Sequence, residues 1–161
     1  MVVDTDKTDT ASLFKLLSSV CDPEIPVLTL QDLGVLRDIS ISGDEINVTI
    51  TPTYSGCPAV EVMQDDIETV LANAGYQHVT VQQSLSPAWT TDWMSDAGRE
   101  KLRAYGIAPP ARQTESTNIQ CPQCGSNDVK RISEFGSTAC KALYQCQDKN
   151  CREPFDYFKC I

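Results

Sequence analysis

The chain has 161 residues and a formal net charge of −9, a length that allows one ordinary domain plus a small appendage. Residues 1–106 carry sixteen acidic side chains against six basic ones while residues 119–161 are close to neutral, so neither part suits a phosphate backbone and no nucleic-acid partner is expected. No run approaches the roughly 18 apolar residues that span a bilayer, and the polar, acidic start lacks the regions of a signal peptide, which points to a cytoplasmic chain with reduced thiols and no membrane contact.

The first ten residues are polar and expected to fray. Ala11–Val20 then places Leu13, Leu16, Leu17 and Val20 at helical spacing. Pro23 and Pro26 end that helix and force an extended loop over residues 21–27. Leu36–Ile41, the turn Ser42-Gly43-Asp44 and Glu45–Thr51, with Ile46, Val48 and Ile50 alternating, predict a hairpin with one buried face. After Cys57-Pro58 the period changes. Val60, Met63, Ile67, Val70, Leu71 and Ala74 line one face of a helix that Gly75 ends. His78–Leu85 alternates again and predicts a third strand, and a last helix is expected from about Thr91 to Tyr105.

Residues 107–118, with Pro109-Pro110 and a Gln-Thr-Glu-Ser-Thr-Asn run, have linker composition. Residues 119–161 are Cys-rich. The expected fold is α+β: a small mixed sheet with packed helices over residues 10–106, then the linker, then a zinc-ribbon-like four-cysteine module. That module is too small to hold itself together without a metal. One small core accounts for the apolar faces, which neither requires nor excludes a dimer.

Thr51-Pro-Thr-Tyr-Ser-Gly-Cys57-Pro58 joins a predicted strand to a predicted helix, with Pro58 suited to the first helical position. Cys57 is then expected at or beside the N-cap, where backbone amides and the helix dipole lower a thiol's pKa and favour nucleophilic or metal-binding chemistry. A small buried thiol is the plainer use of that position. The hydroxyls of Thr51, Thr53, Tyr54 and Ser55 could line the same rim. Asp22, Glu24 and Asp32 flank the prolines and the Asp32-Leu-Gly34 turn; they could ligate iron beside a thiolate or simply cap turns. Cysteine hydrolase chemistry lacks a base, because the single histidine, His78, opens a strand with no carboxylate at an obvious spacing.

Six of the eight cysteines lie in the last forty-one residues. Cys121-Pro-Gln-Cys124 and Cys146-Gln-Asp-Lys-Asn-Cys151 are two knuckles separated by a hairpin-length stretch, the arrangement in which four thiolates surround Zn2+. Iron or an iron–sulfur cluster could use the same thiolates. Cys140 and Cys160 are surplus, as alternative ligands or as buried thiols.

Asp22-Pro-Glu-Ile-Pro-Val27, Asp32-Leu-Gly34, Thr51-Pro-Thr53 with Gly56-Cys57-Pro58, and Pro87-Ala-Trp89-Thr-Thr-Asp-Trp-Met94 resemble the metal–sulfur cluster assembly domain of SufT-like proteins. With the terminal segments Glu134–Cys146 and Glu153–Cys160, the whole chain resembles the PaaD family, accessory proteins of the bacterial phenylacetyl-CoA epoxidase system. The resemblance implies a non-catalytic role in assembling or maintaining the iron–sulfur centre of the reductase component, or the di-iron site of the oxygenase. By position, Cys57 matches the family's reactive cysteine, a transient holder of iron or a cluster fragment, with Asp22 and Glu24 beside it and Asp32, Thr51 and Thr53 completing the motifs. A docking component of the oxygenase and an iron–sulfur electron carrier are the alternatives. The departure is in the second knuckle, where four residues separate the cysteines instead of two.

Overall fold

The computed structural model describes residues 9–115 and 118–159; Cys160 and most of the polar start expected to fray lie outside them. The chain divides into two compact units, which meet in sequence at Trp89 and Thr90.

The first unit opens with helix α1, Thr10–Leu16, capped where Asp9 accepts the Ser12 amide at 2.7 Å. It tightens into a 3-10 turn over Leu17–Ser19, where the Ser18 and Ser19 hydroxyls donate back to the carbonyls of Lys15 and Leu16 and compete with further helix. Leu13 and Leu17 are buried. A four-residue helix α2, Leu30–Leu33, follows the proline loop. Thr29 and Asp32 close a capping box around it, and Gly34 ends it at φ 72°. It is too short for hydrophobic periodicity to reveal.

Strands β1 (Leu36–Ser42) and β2 (Glu45–Ile50) form the expected antiparallel hairpin, and β3 (His78–Gln83) pairs parallel to the other side of β2. A parallel pair needs a crossover, which helix α3, Val60–Asn73, supplies. The sheet is therefore mixed, as the α+β reading requires. Ile46, Val48 and Ile50 of β2 are buried, as are Val60, Met63, Ile67 and Leu71 on one face of α3. Each such side chain contributes about 1.5–3 kcal/mol when fully buried. The Trp89 indole N–H donates to the Leu33 carbonyl at 2.7 Å and ties the end of this unit to α2.

The second unit begins earlier than sequence composition indicates. In place of one helix over residues 91–105 there is a 3-10 turn, Thr91–Trp93, an extended Met94, and helix α4, Asp96–Ala104. Ser95 causes the restart: its hydroxyl accepts the Gly98 amide at 2.9 Å. The segment read as a linker is not a free spacer. Ile107–Ala108 form strand β4, buried and parallel to β7 (Pro154–Phe158), beside β6 (Lys141–Cys146) and β5 (Val129–Ser133) in the order β4-β7-β6-β5. Residues 110–113 are strapped to α4. The Arg99 guanidinium donates to the carbonyls of Pro110 and Thr91, Arg112 pairs with Asp96, and the Gln113 amide donates to Asp92. No helix among the described residues is long and apolar enough to cross a membrane.

Candidate metal centre and the Cys57 site

One core cluster of the second unit is small: Ala108, Cys121, Cys146 and Phe155, with Ile119, Val129, Tyr144, Cys151 and Tyr157 packed around it. Two of its four members are thiols of a metal-like cluster. Cys121, Cys124, Cys146 and Cys151 bring their sulfurs within 4.8 Å of one another. Cys121 lies 3.8 Å from Cys151 and Cys124 lies 3.6 Å from Cys146. Four sulfurs at 2.3 Å from a tetrahedral Zn2+ would be separated by about 3.8 Å, so the cluster fits that ion with little rearrangement.

The knuckles explain the spacing. The first is a tight turn in which the Gly125 amide donates to the Cys121 carbonyl at 2.8 Å and Gly125 takes φ 76°. The amides of Cys124 and Gln123 donate to the Cys121 sulfur; burial raises that thiol's pKa, but these donors hold it below its ordinary value. In the second knuckle the two extra residues form a turn on Asp148, whose carbonyl accepts the amides of Cys151 and Arg152 at 3.2 Å. Arg152 then takes φ 57°, the left-handed step that Gly125 makes after Cys124. Cys151, the least secure ligand by spacing alone, therefore joins the other three. The Glu153 amide donates to its sulfur and favours the thiolate, yet burial and the thiols of Cys124, Cys121 and Cys146 push its pKa up to about 12. Four such groups cannot all ionise together without a cation between them.

Cys140 is excluded as an alternative ligand. It precedes β6 while Cys146 ends it, a separation of roughly 20 Å along an extended strand. Its sulfur lies 3.1 Å from the Thr138 hydroxyl, and it is a plain buried thiol. Cys160, the other surplus cysteine, lies outside the described residues.

Arg152 is the only non-glycine residue with positive φ among those described. For an L-residue that conformation costs about 1–2 kcal/mol, against about 0.5–1 kcal/mol for glycine's extra chain entropy. Arg152→Gly is therefore expected to stabilise the second unit by about 0.5 kcal/mol and Arg152→Val to destabilise it, as read from thermal midpoints of the metal-loaded chain.

In the first unit, Gly56 takes φ 78° and turns the chain into Cys57, which is 8% exposed. Helix α3 starts later than expected. Its N-cap is Ala59, so Cys57 precedes the cap by two residues, and its sulfur accepts the Ala59 amide. The expected lowering of its pKa does not occur. Burial pushes the thiol above its ordinary 9.0; the Ala59 amide and the Tyr54 hydroxyl oppose this, while the charges of Glu24 and Asp22 reinforce it. A resting thiol is thus held protonated.

Asp22 is buried, and its carboxylate accepts the amides of Glu24 and Ile25 at 2.7 and 2.8 Å, which fixes the proline loop beside Cys57. Asp32 serves α2 as its capping box, the structural use of that residue. Thr51 is buried with its amide bonded to Val35, and Thr53 is half-buried on the loop between β2 and α3. The structure thus gathers Asp22, Glu24, Tyr54 and Cys57 by charge and hydrogen bonding, and puts Asp32 to other use. Glu24→Gln is expected to speed alkylation of Cys57 at pH 8 by about two- to tenfold, the span of up to one pKa unit, measured on the Cys57 peptide by mass spectrometry. His78 does have a carboxylate neighbour: Asp44 stands 3.5 Å away in an exposed pair. Sequence spacing hid it, because parallel pairing of β2 with β3 brings the two together.

Two family models match the chain, one described as an iron–sulfur cluster assembly protein over residues 10–82 and one as a PaaD zinc beta ribbon domain over residues 107–159. A protein of Escherichia coli (strain K12), named as a subunit of 1,2-phenylacetyl-CoA epoxidase, is 51% identical over 153 residues, covering 92% of each chain. An Fe-S protein maturation auxiliary factor of Porphyromonas gingivalis is 31% identical over 92 residues, 56% of this chain and 87% of its own. Among solved structures, a domain of unknown function, DUF59, from Bacillus anthracis aligns with a TM-score of 0.54 and 25% identity, over 57% of this chain and 89% of its own.

Proposed function

The chain belongs to the PaaD family, and from that membership we propose that it matures the metal centres of the phenylacetyl-CoA epoxidase system. The observation that carries this reading is the Cys57 site, a buried thiol with two carboxylates acting on it, inside a unit similar to iron–sulfur maturation factors. Iron, or a cluster fragment, is the cargo. Cys57 supplies the soft ligand and gives up its proton as the cargo arrives; Asp22 and Glu24 supply hard oxygen donors whose charge favours a cation. Ala59 and Tyr54 hold the sulfur in place through their hydrogen bonds. The exchange is between thiols in a reducing cytoplasm, and the chain needs no catalytic base.

In the second unit, Cys121, Cys124, Cys146 and Cys151 hold zinc in this reading. When bound, it supplies a structural crosslink between the two knuckles. The client we favour is the iron–sulfur reductase component, since its cluster needs the thiolate chemistry that Cys57 offers. The test is to purify that reductase anaerobically from cells with and without this chain and to measure its iron and acid-labile sulfide. Occupancy is expected to fall severalfold without the chain, and equal occupancy would sink the proposal.

A second reading has one specific observation in its favour: the E. coli relative is named as part of the epoxidase. A docking component would co-purify with the oxygenase in fixed stoichiometry, whereas a maturation factor would not.

A further inference from the structure

The four thiols of the metal centre are unequally covered. Cys121 and Cys146 are 1% and 0% exposed and Cys151 is half-buried, but Cys124 is exposed. The space beside it is open as well: a Cβ built on Gly125, the next residue, meets nothing within 4 Å. The amides of Gln123 and Cys124 hold the Cys121 sulfur, that of Asp148 holds Cys146 and that of Glu153 holds Cys151. This most exposed of the four residues also has its sulfur 3.6 Å from that of a buried one, Cys146.

We propose that Cys124 is the oxidation-sensitive corner of this site, attacked first by hydrogen peroxide and then joined to Cys146 in a disulfide. The inference rests on the zinc reading of the cluster only for its last consequence, release of the ion. In the first step the Cys124 thiolate attacks one peroxide oxygen; an S–O bond forms, the O–O bond breaks, and the departing oxygen takes a proton from solvent and leaves as water. In the second, the Cys146 thiolate attacks the Cys124 sulfur; the S–S bond forms, the S–O bond breaks, and hydroxide leaves and is protonated to water. Two electrons pass from the two thiolates to the peroxide, and two protons come from solvent. Only Cys121 and Cys151 remain as ligands, too few to hold a tetrahedral ion. Thiol reductants reverse the step, so the chain would report peroxide stress by giving up its metal.

The test uses the full chain loaded with zinc, whose content is measured first. N-ethylmaleimide below stoichiometry, followed by peptide mapping, is expected to label Cys124 at least tenfold faster than Cys121 or Cys146. Hydrogen peroxide is then expected to give a Cys124–Cys146 disulfide with one zinc released per disulfide, read with a chromogenic chelator. Faster labelling of another cluster thiol, or a disulfide that omits Cys124 or joins it to Cys121, overturns the proposal. Cys124→His keeps a zinc ligand and removes the peroxide's target, so release should slow at least tenfold; unchanged release also overturns it. A chain that carries no zinc at the outset refutes the zinc reading instead, and the labelling order and disulfide map still decide the role of Cys124.

Discussion

Cys121→Ser is expected to cost the second unit both its metal and its fold. A serine hydroxyl ligates zinc far more weakly than a thiolate, and a structural zinc is worth about 10–16 kcal/mol in small finger peptides at neutral pH. The remaining core cannot make up that loss. Of the four buried side chains that pack together at the cluster, Ala108, Cys121, Cys146 and Phe155, two are the thiols themselves. Zinc should fall from one per chain to none, and the amide resonances of residues 119–159 should lose their dispersion. Residues 10–89 belong to the other compact unit and should keep theirs. Cys140→Ser is the matched control, since Cys140 is buried but lies far from the cluster; it should retain zinc. A Cys121→Ser chain that kept its zinc and its ribbon would show that Cys121 is not a ligand.

How much of this was legible in the sequence depends on the range of the signal. Helix α3 and strands β1 to β3 were readable because apolar side chains recur at periods of 3.6 and 2 over six to fourteen residues. The four thiols that come together were readable from two short knuckles. Elements without such a repeat escaped: α2 is four residues long and held by Thr29 and Asp32, and β4 is two residues long and exists only because β7 offers an open edge. Its neighbour Pro109-Pro110 made the segment look like a spacer, although Arg99 and Arg112 tie it to α4 by contacts 11 and 16 residues apart in sequence. The position of Cys57 was also legible, but its electrostatics were not. Sequence places it near a helix start, which lowers a thiol's pKa, whereas its burial and the approach of Glu24 and Asp22 are tertiary facts that outweigh the helix.

Cys57→Ser is expected to behave like loss of the whole chain in client maturation while leaving the first unit folded. Serine is nearly the same size, and the Ala59 amide that bonds the sulfur can donate equally to a hydroxyl, so the cost in stability should stay near 1 kcal/mol. The cargo, by contrast, loses the thiolate of Cys57, and iron–sulfur occupancy of the reductase should drop severalfold. A pH titration separates this role from a merely structural one. Burial raises the Cys57 pKa above 9.0 in the folded chain, so the native state holds that proton more tightly than the unfolded state does. The stability this contributes is whole below about pH 9 and is lost as pH rises through the native value. Wild type should therefore lose stability faster than Cys57→Ser on going from pH 8 to 10, and Glu24→Gln should fall between them. Its alkylation should follow the same ionisation, slow at pH 7 and rising steeply above pH 9. Iron(II) added without oxygen should shift that rise to lower pH by stabilising the thiolate. If iron leaves the profile of wild type unmoved, Cys57 does not hold the cargo, whatever its effect on the client.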